Sequence, residues 1–122
     1  MKYITIFLLG ALGYSSLEVL WRGYTHWTMS LSGGICFLLI YFLNINLARE
    51  SIFMRCVAGA LVITATELIV GVTVNIILGW NVWDYSSVPF NFLGQICLPY
   101  TLLWFFLCIP VFGICTLIDK II

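Results

Sequence analysis

Charge is what this sequence has least of. Charged side chains make up 8% of its 122 residues, five basic and five acidic, and the formal net charge is zero. A soluble domain carries about 25%. A chain this poor in charge cannot cover a globule with a solvated surface. With 63% hydrophobic residues and a mean hydropathy of +1.14 it needs lipid around it. The missing basic excess removes the electrostatic footprint of a nucleic-acid binder, so no nucleic acid is expected as a partner. No GxxxxGK[ST] loop occurs, so the chain has no nucleotide-hydrolysing site of its own. Cys36, Cys56, Cys97, Cys108 and Cys115 form no CxxC pair and have no histidine at ligand spacing. They fit as small buried hydrophobes, and neither a metal nor a cofactor is expected. HExxH, GxSxG and paired histidines are also absent, which leaves no catalytic constellation.

Long apolar runs are abundant. A bilayer core takes about 20 apolar residues as a helix, and backbone polar groups in lipid must be satisfied internally. Four segments qualify, at about 3–22, 29–47, 55–79 and 92–118. The fold expected is therefore all-α, a single polytopic membrane domain of four transmembrane helices with a connecting loop over 80–91. Pro99 and Pro110 lie in the fourth run, where each removes a backbone donor and predicts a kink or a late start. The first run continues past "ALGYSS" into Glu18 and Arg22, so it reads as a span and not as a cleavable leader.

With four spans, Lys2, Arg49, Arg55 and Lys120 fall on one side and Arg22 near the other. The positive-inside bias then places both termini in the cytoplasm and the 80–91 loop outside. Trp21, Trp27, Trp80 and Trp83 cluster at that outer boundary, where amphipathic rings prefer to sit.

"GALGYSSLE" from Gly10 and "GALVITATE" from Gly59 share Gly-Ala-Leu and a glutamate at one offset, and "GGIC" and "GQIC" then align in the following spans. The pattern suggests two parallel two-helix repeats, the second enlarged by an insertion inside 79–98. It brings Glu18 and Glu67 to matching depth.

These intramembrane polar residues define the candidate site. A carboxylate in a bilayer faces protein or water and takes a partner. Arg22 follows Glu18 at i+4, which suits a local ion pair. Glu67, Gly71 and Asn75 recur at i, i+4, i+8 with Thr64 beside them, and Gly71 allows a neighbour to approach between two polar groups. Glu67 has no basic residue within a turn, so Arg22, Gln95 or Asn91 is its expected partner. The site reads as Glu18, Arg22, Glu67, Asn75, Asn91 and Gln95. Such a stripe serves either to glue helices or to begin a proton-coupled path. Convergence of Glu18, Glu67 and Asp84 on a cation is a further option. His26 reads as an interfacial residue, and Asn44 and Asn46 as helix-end residues near the cytoplasm.

The stretch "GWNVWDYSSVPFNFLGQICL" separates the last two spans. It reads as a packed outer cap of Trp80, Trp83, Asp84, Tyr85, Ser86 and Pro89, with Asn91 as N-cap of the fourth helix and Gln95 one turn further on. The pattern W-x-Y-S-x-x-P-x-N-x-x-G falls at Trp83, Tyr85, Ser86, Pro89, Asn91 and Gly94. With "ITATELIVGVTVN", "GYSSLEVLWRG" and "SGGICFLLIYFLN", it resembles the ABC-transporter type IV family over essentially the whole chain. That family comprises short bacterial proteins named as transporter permeases and related vertebrate membrane proteins. Glu18 and Glu67 match its membrane-embedded glutamates. The resemblance implies a permease-like component of a bacterial inner membrane that works with a separate ATPase and with a partner or a second copy. Three functions stay open at this point: a transport component, a scaffold or accessory subunit of an envelope complex, and a membrane enzyme acting on lipid with Glu67 or Asp84 as acid or base.

Overall fold

The computed structural model describes residues 2–121. Among them are four helices long and apolar enough to cross a membrane: α1 (Lys2–Arg22), α2 (Trp27–Asn46), α3 (Ile52–Gly71) and α4 (Leu98–Ile121). A π-helical extension, Val72–Ile77, lengthens α3 to a 26-residue span. Large apolar side chains such as Leu20, Leu61, Ile69 and Phe106 stand exposed along these helices, as a lipid environment requires. The chain divides into two compact units, one running to Glu50 and resuming at Pro110, the other Ser51–Ile109. The division falls inside α4 at Pro110, where the ring removes a helix donor.

In the first unit α1 and α2 pack through small residues. A Cβ on Gly33 would meet the Tyr14 Cβ at 2.5 Å, and one on Gly10 would overlap Phe37 and the Gly33 carbonyl. Glycine is what lets the two backbones approach, since lipid gives apolar helices no hydrophobic reason to associate. Ser15 and Ser30 pair their hydroxyls across the same contact. His26 caps α2: its Nδ1 accepts from the Thr28 amide at 3.2 Å. The ring therefore has a structural task beyond lying at an interface. Asn44 lies in the last turn of α2 and is buried, its amide donating to Thr116 Oγ1 at 3.5 Å. At the far end Lys2 Nζ and the Tyr41 hydroxyl both donate to Asp119 Oδ1, at 2.7 and 2.5 Å.

In the second unit α3 starts at an N-cap, Ser51, whose hydroxyl accepts from the Met54 amide. The fourth helix begins at Leu98, later than the apolar run beginning at 92 predicts. Pro99 then sits in the first helical turn, where its missing N–H is no loss. The residues before it form a two-stranded antiparallel hairpin, β1 (Asn91–Phe92) and β2 (Ile96–Cys97). Asn91 is therefore a strand residue and not the N-cap of α4. Gln95 lies in the turn of this hairpin and does not project from the helix.

Candidate functional site

The polar residues of the second unit gather where the segment after α3 folds back along that helix. Three features shape this return. Gly79, Asn81, Phe90, Leu93 and Gly94 all adopt positive φ. Pro89 before Phe90, at φ 59°, follows the order of a type II turn. Asp84 Oδ1 accepts from the Ser86 amide at 2.9 Å, and the Val88 amide donates to the Tyr85 carbonyl at 2.8 Å. Bulky residues rarely hold a left-handed conformation, so Phe90 and Leu93 mark a backbone over-determined by its surroundings.

Asn75 governs the upper layer. Its Oδ1 accepts from the Val82 amide at 2.6 Å and, at 3.4 Å, from the Trp83 amide, while its Nδ2 donates to Gln95 Oε1 at 2.7 Å. The Gln95 amide donates in turn to the Leu93 carbonyl, and the Trp83 indole donates to the Gln95 carbonyl at 3.0 Å. Gly71 lies directly beneath. A Cβ there would come within 2.7 Å of Gln95 Oε1 and 3.0 Å of the Trp83 ring. Asn75 stands in the π-helical turn, whose wider winding re-aims side chains at the end of a span. Asn91 closes the hairpin: its Nδ2 donates to the Ser86 and Val88 carbonyls, and its Oδ1 accepts from the Gly94 amide.

Glu67 holds the lower layer. Tyr85 donates its hydroxyl to Oε2 at 3.2 Å, and Trp104 of α4 donates its indole N–H to Oε1 at 2.8 Å. The Tyr85 ring stacks on Tyr100 with centroids 4.8 Å apart. One turn below Glu67, Thr64 and Thr101 share a hydroxyl hydrogen bond at 3.0 Å. Each Glu67 oxygen thus accepts a hydrogen bond from a different segment.

The structure places the expected residues unevenly. Glu67, Asn75 and Gln95 meet the same returning segment. Gln95 and Asn91, offered as partners of Glu67, instead commit their side chains to Asn75 and to the hairpin backbone. Trp83 is 7% exposed and belongs to the interior, whereas Trp80 is 47% exposed. Asp84, Ser86 and Pro89 are exposed, and Tyr85 is half-buried. Glu18 and Arg22 belong to the first unit, where Arg22 Nε approaches Glu18 Oε2 at 2.8 Å and the Tyr14 hydroxyl donates to Oε1 at 2.8 Å.

Tyr100 and Trp104 are site residues that the polar pattern of the sequence does not single out. A tryptophan well inside an apolar span was the available signal, since its N–H must find an acceptor away from the interface. Among the described residues no three His, Cys, Asp or Glu side chains gather to hold a metal ion. The profile of a family described as "Putative ABC-transporter type IV" matches residues 22–121. No curated protein and no solved structure matches the chain.

Proposed function

The chain belongs to the ABC-transporter type IV family, and from that premise we propose that it is a permease-like component whose working group is the Glu67 carboxyl. Family membership and four membrane-crossing helices fit a multi-pass, transport-related membrane protein. The finer assignment rests on one observation. Glu67 lies within a membrane span, fixed by Tyr85 and Trp104 and roofed by the Asn75–Gln95–Trp83 layer. An intramembrane carboxyl held by neutral donors can exchange a proton, or pair with a cationic solute, as the roof opens and closes.

In this reading both termini face the cytoplasm of a bacterial inner membrane, as Lys2, Arg49, Arg55 and Lys120 direct. The roof then faces outward. A separate ATPase and a second copy of the chain complete the path, because one chain carries no nucleotide loop and four helices enclose little volume.

Everted membrane vesicles from cells producing the protein retain any partner ATPase. Proton movement is followed in them with a pH-sensitive dye. Glu67→Gln is expected to lower the protein-dependent flux by about tenfold or more, in line with the loss of a positioned proton-transfer group. Equal flux in Glu67→Gln and wild-type vesicles removes Glu67 from the mechanism.

A further inference from the structure

We propose that the segment 80–97 is a re-entrant element of the membrane, its exposed Asp84 kept at the headgroup boundary, and that Phe90, Phe92 and Leu93 contact lipid acyl chains. The inference is independent of any transport activity.

Depth along α3 carries it. The span Ile52–Ile77 has 26 residues. At 1.5 Å per residue it is roughly 39 Å long, against a hydrocarbon core of about 30 Å. Centred, it overhangs by about 4–5 Å at each end. Gly71 stands six residues before Ile77, and Glu67 ten. They therefore lie roughly 4 Å and 10 Å inside the hydrocarbon boundary. Trp83 and Gln95 press on Gly71, and the Tyr85 hydroxyl reaches Glu67. A segment that makes these contacts cannot lie wholly in water above the bilayer.

Its polar inventory fits that position. Irregular backbone at membrane depth is stable only where its N–H and C=O groups find protein partners. Side chains supply many of them here. Asn75 serves Val82 and Trp83, Asp84 serves Ser86, and Asn91 serves Ser86, Val88 and Gly94. Gln95 serves Leu93, and the Trp83 indole serves Gln95. The unusual polarity of the stretch thus serves its own backbone.

The tip has the opposite character. Phe90 is 79% exposed, Phe92 55% and Leu93 58%. Phe90 and Leu93 also carry left-handed backbone. Leu98, Leu102 and Leu103 at the start of α4 are exposed as well, which continues the apolar surface from the hairpin onto a membrane-crossing helix. Acyl chains are the occupant that suits an apolar surface beside a span at this depth.

The unaltered protein is reconstituted in nanodiscs containing a phospholipid with a diazirine on its acyl chain, irradiated, and mapped by mass spectrometry. Adducts on residues 90–93 are expected beside those on the four helices. Adducts confined to the helices overturn the proposal. A second measurement places single cysteines at Phe92→Cys and Ala48→Cys in a background with the five native cysteines replaced. The thiolate is the reactive form and forms poorly in apolar surroundings, so a water-soluble maleimide should label position 92 about tenfold more slowly than position 48. Equal labelling rates in nanodiscs show the tip in water and overturn the proposal as well.

Discussion

Two glutamates of one small membrane protein are held in different ways. Glu18 finds its partners on its own helix: Arg22 one turn on and Tyr14 one turn back, both within α1. Glu67 is met by Tyr85 from a returning loop segment and by Trp104 from α4. The first arrangement forms as soon as the helix does. The second needs tertiary structure, and a rearrangement of the loop segment changes it. A carboxyl held by its own helix is braced against change, whereas one held across segments can report or drive it.

The largest test of this contrast is at Asn75. Its side chain fastens the loop segment to α3 through the Val82 and Trp83 amides and Gln95. Asn75→Ala leaves buried groups without partners and is expected to cost about 3 kcal/mol. Unfolding in mixed detergent micelles measures it. Faster exchange of the Val82 and Trp83 amides should follow. A cost below about 1 kcal/mol with unchanged exchange means that the layer does not hold the segment.

A matched pair of smaller changes sharpens the comparison. Tyr14→Phe and Tyr85→Phe each remove one phenol donor from a carboxyl group. At Glu18 the guanidinium of Arg22 remains, so Tyr14→Phe should cost about 0.5 kcal/mol. At Glu67 the lost donor is the one from the loop segment, and Tyr85→Phe should cost about 1–2 kcal/mol. The Phe ring keeps the stacking on Tyr100, which isolates the hydroxyl. Equal costs at the two sites, in the same unfolding measurement, break the distinction.

The same contrast explains what could be read from the sequence. Four spans follow from hydropathy alone, and the Glu18–Arg22 pair follows from i+4 spacing. Glu67 was legible as a residue in need of a partner, but its partners were not. Tyr85 and Trp104 reach it through a backbone that departs from every regular period: a π-helical turn, left-handed residues at Asn81, Phe90 and Leu93, and a hairpin of two-residue strands. The late start of α4 has the same origin. Periodicity continues an apolar run back to Phe92, but Phe92 and Ile96 pair across the hairpin, so the helix waits for Leu98. Asn91 looked like a cap because it precedes an apolar run, and its side chain does satisfy orphan backbone groups, those of a turn and not of a helix.

The smallest expected effect lies at Asp84, at the exposed rim of the same segment. Its hydrogen bonds from Ser86 hold the carboxyl below its usual range. A depressed folded value makes the turn's added stability complete above the unfolded carboxylate pKa, about 4, and lost as pH falls through the lower folded value. The group is fully exposed and screened by solvent, so the shift loosens the 84–86 turn locally and leaves the rest intact. Exchange protection of the Ser86 amide should therefore fall between pH 5 and pH 2.5, by about twofold to threefold. Asp84→Asn keeps an acceptor but does not titrate, and should flatten that dependence. The donors on Glu67, reached through Tyr85 from the next residue, should not change in either case. A coupled loss of the Tyr85–Glu67 hydrogen bond at low pH would mean that the rim and the buried carboxyl move as one element. The contrast with Glu18 would then extend from the membrane interior to its surface.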